Sequence, residues 1–276
     1  MIITEQSVFA KLVAVIRSHA LHIRATSRFV IAVECFIIQD MRVQKLHGWE
    51  VSVAQAREIQ LSLAKRVVTE TEEEVIKPCL VAGIDISAPD ARGVARGAVV
   101  VLRYPEFSVV EAKVVEGKVA FPYIPGLLSF RESPLILAAC EKLDSLPDLV
   151  LIDGQGIAHP RRFGLASHVG LFLGLPTIGC AKSILCGRHM PVAEEAGSHA
   201  ELFDNGEVIG AALRTKSGVK PVYVSVGHKI DLASALQWVA NCCRGYRLPE
   251  PTRLAHLAAG GMLRSEQVTR KTRKSC

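Results

Sequence analysis

Apolar positions recur along this chain with two different periods. From Val51 to Val68 (VSVAQAREIQLSLAKRVV) they fall at helical spacing, and Ser52 stands where an N-cap belongs. Three short β-rich runs follow: Cys79–Ser87 (CLVAGIDIS), Gly97–Tyr104 (GAVVVLRY) and Phe107–Val115 (FSVVEAKVV). They read as an antiparallel meander. The stretch Ser133–Leu143 (SPLILAACEKL) predicts a helix with Pro134 at its first position, where a missing N–H costs nothing. Leu149–Ile152 (LVLI) predicts a strand buried on both faces. A helix over Arg162–Leu173 and a strand over Pro176–Cys180 come next. Glu207–Thr215 and Pro221–Val226 predict a hairpin around Lys216-Ser217-Gly218, and Leu232–Cys242 predicts a further helix. This order predicts an α/β fold: a mixed sheet of three antiparallel strands and then parallel strands, with helices on both faces.

Residues 1–48 differ from the rest, with apolar clusters, scattered basic residues and no clear turn chemistry. They are expected to be an N-terminal extension, poorly packed over 1–40 and added by an upstream start codon. One domain then spans 49–262. The tail, 263–276, carries Arg270, Lys271, Arg273 and Lys274 and is expected to fray at its end. The longest apolar run, Phe29–Ile38, is broken by Glu34 and falls short of the about 20 residues that a membrane span needs. No membrane partner is expected.

Composition narrows the classes. The 276 residues are 49% hydrophobic and 22% charged, enough apolar content for a substantial core. A net charge of +6 suits a nucleic-acid partner without requiring one. The eight cysteines form no C-x-x-C pair, and several lie in apolar runs. That pattern reads as buried free thiols in a reducing, cytoplasmic compartment.

Three carboxylates depart from the apolar pattern. Asp85 lies inside a strand of Val, Ile, Leu and Gly, where a lone charge is expensive to bury. Asp153 caps the LVLI strand before Gly154, a place where aspartate is commonly just a turn former. Glu132 stands at the predicted entrance of the Ser133 helix, where helix-dipole reasons alone explain many glutamates. Their combination means more. The first and fourth strands can be parallel neighbours, so Asp85 and Asp153 face each other at one end, with Glu132 pointing across. Three close carboxylates repel one another unless a cation sits between them. Oxygen ligands select Mg²⁺ or Mn²⁺ over zinc.

Other residues gather around these. Lys182, in GCAKSIL, can bring positive charge to a phosphate, although an exposed lysine after a strand is common. His159 in DGQGIAHPRR is a candidate DNA contact, and His256 in PEPTRLAH a candidate outer ligand or phosphate contact. Gly126, Gly154, Gly156 and Gly179 flank the proposed site, where bare backbone could approach the edge of a nucleobase. No G-x-x-x-x-G-K-[ST] loop occurs, which removes the usual triphosphate cradle.

The segments YIPGLLSFRESP, DLVLIDGQGIAHPRRFGLASHVGL, PTIGCAKSILCG and LPEPTRLAH together resemble the endonuclease V family, from Trp49 to Met262. The resemblance implies a ribonuclease H-like fold and a Mg²⁺-dependent repair endonuclease, with Mn²⁺ able to substitute. Such an enzyme recognises deoxyinosine, the product of adenine deamination. It hydrolyses the second phosphodiester bond on the 3′ side and leaves 5′-phosphate ends. It implies that Asp85, Glu132 and Asp153 bind metal and that Lys182 and His256 complete the catalytic set. Pro122, Tyr123, Ile124 and Pro125 match the family's P-Y-I-P strand-separating wedge, whose rigid prolines let Tyr123 fill the gap left by the displaced base. Gly126, Leu128, Gly154 and Gly179 would form the base pocket. The family often has His where Gln155 stands, which implies tuning and not loss.

Two other readings remain at this point. A ribonuclease H-like nuclease could act on inosine-containing RNA or branched DNA, and a non-catalytic nucleic-acid binder could share the fold. Tyr123 between prolines favours a reader of base lesions, and the intact carboxylates disfavour the mere binder. A monomer is expected.

Overall fold

The structure is a computed structural model that describes residues 43–71 and 77–263. Expectations for residues 1–42 and 264–276 lie outside the described residues. Within the predicted extension, residues 43–48 are described. Val43 and Leu46 pack on the main core, and the Gln44 amide donates to the Phe172 carbonyl at 2.7 Å.

Helix α1 (Val53–Ala64) starts as the pattern predicts. Ser52 caps it in a reciprocal capping box with Gln55. The meander follows as β1 (Leu80–Ile86), β2 (Val94–Arg103) and β3 (Ser108–Lys118). Then come α2 (Leu128–Cys140), β4 (Leu149–Ile152), α3 (Leu165–Leu173) and β5 (Thr177–Ala181). The remaining elements are β6 (Arg188–His189), β7 (His199–Asp204), β8 (Glu207–Leu213), β9 (Val222–His228), α4 (Leu232–Asn241) and α5 (Glu250–Ala259). The described strands form one sheet in the order β3-β2-β1-β4-β5-β9-β8-β7-β6. The pairs β1–β4 and β4–β5 are parallel, and the others antiparallel. The mixed α/β sheet with helices on both faces is therefore observed.

One core lies between the sheet and α2 and α3, joining Ile136, Cys140, Val169 and Phe172 to Ile84, Val99 and Ile152. The opposite face is covered by α4, over Val224 and Val226, and by α5, over Ala98 and Val100. This burial on both faces explains why LVLI carries no polar position.

Three features differ from the predicted pattern. Helix α2 begins at Leu128, and Pro134 lies inside it as its seventh residue. The predicted start at Ser133 followed the preference of proline for the first turn. Here tertiary packing overrides that preference, because Phe130, Ser133, Ile136 and Leu137 are all buried. Glu132 thus lies in the second turn and not at the helix entrance. The β7–β8 hairpin turns at Asn205-Gly206, both at positive φ; β8 matches the predicted Glu207–Thr215 strand, while β7 and β6 lie outside the predicted elements. Helix α5, starting behind Pro249, is likewise additional.

Candidate active site

Strand pairing brings the two aspartates together. Ile84 stands opposite Ile152, and the Asp153 amide donates to the Ile84 carbonyl at 3.0 Å. Asp85 and Asp153 therefore emerge side by side from the carboxyl ends of neighbouring parallel strands, the usual place for a ligand site in such a sheet. His256 reaches them from α5. Its Nδ1 lies 2.7 Å from Asp85 Oδ2, while Asp85 Oδ1 accepts from the Ile86 amide at 2.8 Å. Ligand atoms of Asp85, Asp153 and His256 all lie within 4.8 Å of one another. Helix α5 comes this close because β1 offers Gly83: a Cβ there would stand 1.9 Å from the Pro251 carbonyl oxygen.

Glu132 lies outside that triplet but within its electrostatic reach. Burial, and then the charges of Asp85 and Asp153, push its carboxyl up to about 8. Asp85 is also raised, first by burial and then by Asp153, against the opposing pull of Lys182 and His256. Lys182 forms an ion pair with Asp153. Burial draws its ammonium down, but the two aspartates outweigh this and the net shift is upward. Carboxylates crowded in this way repel one another unless a cation joins them. The donors are mainly oxygen, with one imidazole, and this chemistry fits a hard divalent ion.

A cavity of about 340 Å³ opens beside the carboxylates. Asp153 and Lys182 line it together with Gly126, Leu128, Gly154 and Gln155. Tyr123, Ile124 and Pro125 form its rim, and Tyr123 is 70% exposed. Pro122 is exposed beside them. Gly179 does not line the cavity. It lies behind the wall, where a Cβ would meet the Gly156 nitrogen at 2.5 Å. The rim and the carboxylates share one support, α2. Leu128 and Glu132 are one helical turn apart on α2, and Arg131 Nη1 donates to the Phe121 carbonyl at the base of the rim loop, 2.9 Å away.

Further side chains support the site: Arg247, Gln60 and Arg161 have no signal in the sequence, whereas His159 is the candidate DNA contact. Arg247 donates through Nη2 to the Lys182 carbonyl at 2.7 Å and to the Pro221 carbonyl at 2.8 Å, tying the lysine to β9. His159 is buried. Its Nδ1 accepts from the Arg161 amide at 3.1 Å, so Nε2 carries the proton and donates to the Gly126 carbonyl at 2.9 Å. Burial pushes this imidazole down to about 4, which keeps it neutral. The same carbonyl accepts from Gln60 Nε2 at 3.0 Å and from Arg161 Nη2 at 2.6 Å. Gln60 and Arg161 carry ordinary helix and loop identities in the sequence, and only folding reveals their convergence.

Comparison with known proteins agrees with this geometry. The family model for endonuclease V matches residues 61–257. An endonuclease V from Dehalococcoides mccartyi is 52% identical over 224 residues, covering 81% of this chain and 100% of its own. The crystal structure of endonuclease V from Streptomyces avermitilis aligns with a TM-score of 0.74 at 42% identity, over 82% of this chain and 98% of that one. Endonuclease V from Ciona intestinalis, solved in complex with a 24mer DNA containing an inosine followed by a ribo-adenosine, aligns with a TM-score of 0.65 at 28% identity, over 76% and 97% of the two chains. Among the described residues no helix is long and apolar enough to cross a membrane.

Proposed function

The chain belongs to the endonuclease V family, and from that premise we propose that it repairs DNA by cutting beside deoxyinosine at the second phosphodiester bond on the 3′ side. The observation that carries this reading is the shared wall: Asp153 and Lys182 of the ion site line the same cavity that Tyr123 borders. A lesion reader needs this proximity, because base recognition and hydrolysis must act on one strand a fixed distance apart.

Asp85, Glu132 and Asp153 would hold Mg²⁺, or Mn²⁺ in its place, with His256 at the edge. Such an ion, when bound, activates water and neutralises charge on the phosphate. The water oxygen joins phosphorus as the P–O3′ bond breaks, which leaves a 5′-phosphate and a 3′-hydroxyl. Lys182 is held by Asp153 and, through its carbonyl, by Arg247. It can turn its ammonium toward a non-bridging phosphate oxygen. His256 is fixed through Nδ1 by Asp85 and leaves Nε2 to meet the strand. Tyr123 fills the gap in the stack, and the backbone around Gly126, Leu128 and Gly154 reads the displaced base. Gly179 supports that wall from behind.

We read the enzyme as a monomer of the cytoplasm, and its free, buried Cys140, Cys180 and Cys242 suit a reducing compartment. Inosine-containing RNA is the second reading, motivated by the ribo-adenosine that follows the inosine in the Ciona complex. The test is incision of matched DNA and RNA strands, with and without inosine, in Mg²⁺. Preferential cutting of the inosine DNA supports the proposal. Preference for the RNA transfers it to the second reading, and equal cutting of damaged and undamaged strands defeats lesion reading.

A further inference from the structure

His168 is the one ionisable residue on α3, and it is fully buried. A buried imidazole needs a partner at each nitrogen. Its Nε2 lies 2.7 Å from His47 Nε2, and its Nδ1 lies 2.9 Å from Ser129 Oγ on α2. His47 Nδ1 in turn lies 2.7 Å from the Gly48 carbonyl. Together these contacts fix the direction of every hydrogen bond in the chain. A carbonyl only accepts, so His47 Nδ1 carries the proton. A neutral His47 then has a bare Nε2, and His168 donates to it through its own Nε2. His168 Nδ1 is therefore bare and accepts from the Ser129 hydroxyl. Ser129 lines the cavity beside the carboxylates. With its hydrogen spent on His168, its hydroxyl can only accept from a cavity ligand.

One added proton reverses this order. The charge belongs on His47, which is partly exposed, and not on the enclosed His168. His47 then carries hydrogen on both nitrogens and donates through Nε2. His168 stays neutral, with its hydrogen moved to Nδ1, and donates to Ser129 Oγ. The Ser129 hydrogen is set free for the cavity. We propose that His47 and His168 are positioning residues that hold Ser129 as an acceptor in the cavity at neutral pH and turn it into a donor when His47 takes up a proton. The use of Ser129 rests on the reading that this cavity takes the displaced base. Rings of Trp49, Phe130, Phe163 and Phe172 enclose the pair. Burial lowers both imidazoles, and His47 lowers His168 further, so the reversal lies on the acid side of the ordinary imidazole range. The charged groups on the elements around the pair are otherwise engaged. Lys45, Glu50, Arg57 and Glu58 are exposed, Arg131 is tied to the Phe121 carbonyl, and Glu132 answers to Asp85 and Asp153. Beside Phe163, His159 and Arg161 hold the Gly126 carbonyl, and Arg162 is paired with Asp204 and Glu207.

The experiment follows the ring ¹⁵N signals of the histidine-labelled full chain from pH 8 to pH 5. His47→Gln, which keeps an acceptor for His168 and cannot take up the proton, assigns the His47 ring. At pH 8 the expected tautomers are Nδ1–H on His47 and Nε2–H on His168. As His47 charges, His168 should move its hydrogen to Nδ1 at the same midpoint and stay neutral. A His168 tautomer that does not move through that titration, or a charged His168, overturns the relay. The second readout is kcat/KM for incision of an inosine strand in Mn²⁺, with and without Ser129→Ala, in the wild-type and His47→Gln backgrounds. The ratio of the two rates cancels the pH response of the carboxylates, which both proteins share. In the wild-type background Ser129 should confer an advantage of about tenfold at pH 8, the scale of one hydrogen bond, and lose it below the midpoint. In the His47→Gln background the advantage should persist to pH 5. An advantage that is flat with pH in the wild-type background, or absent throughout, overturns the role of Ser129 in the cavity. A wild-type chain that cuts strands with and without inosine alike removes the inosine reading itself, while the spectra still decide the relay.

Discussion

Glu132 connects sequence, burial and pH. Its carboxyl is pushed from 4.5 up to about 8, first by burial and then by Asp85 and Asp153. Between those values the folded, metal-free protein binds more protons than the unfolded chain. Stability that is fully present below about pH 4.5 is therefore lost as pH rises toward 8, at no more than about 1.4 kcal/mol per pH unit from this group. Melting of chelated protein from pH 5 to pH 8.5 should show the decline, and Glu132→Gln should flatten it and raise stability at pH 8. An identical slope in that variant would rule out Glu132 as the source. Asp153→Ala should lower Mg²⁺-supported incision by at least roughly 10²-fold while leaving binding of an inosine strand in place, as read by gel shift. A pure binding module would lose nothing. Tyr123 is exposed on the rim, so Tyr123→Ala should reduce the preference for inosine more than it reduces Mn²⁺ affinity. Loss of Mn²⁺ binding in that variant would mean that rim and ion site are not separable.

At the scale of elements, glycine at position 83 governs how α5 meets β1. Gly83→Ala must displace Pro251, and overpacking of this kind costs about 1–3 kcal/mol. Urea unfolding should show that loss, and incision should fall with it as His256 moves away from Asp85. Unchanged stability would mean that α5 slides without cost. This element was also the hardest to read in the sequence. Two prolines, Pro249 and Pro251, open it, and they suggest a turn more strongly than the helix they begin. Asp85 was legible for the opposite reason: a charge inside VAGIDI conflicts with its surroundings and needs a cause. The parallel pairing of β1 and β4 was legible as well, because a crossover helix between the first and fourth strands lets them be parallel neighbours. The start of α2 was misplaced by a sound local rule about Pro134, which Phe130 and Ile136 overrule through packing. Gln60 and Arg247 left no trace, because a polar residue in a helix or loop looks solvated until distant segments meet around it.

Across the whole molecule, two parallel strands, one helix from each face of the sheet and the β5 end deliver Asp85, Asp153, Glu132, His256 and Lys182 to one place. The mutual repulsion of Asp85, Asp153 and Glu132 favours a cation, so a divalent ion should stabilise the folded chain as its occupancy rises. At a Mn²⁺ concentration 100 times its dissociation constant the gain is about 2.7 kcal/mol, read as a rise in melting temperature. Asp85→Asn should abolish most of it, and a rise of the same size in that variant would place the ion elsewhere. The most direct test of the ion site is anomalous diffraction from crystals soaked in manganese. The expected result is a peak bounded by the oxygens of Asp85 and Asp153 and reached by Glu132. Full soaking with no peak there, and those carboxylates turned apart, would contradict it.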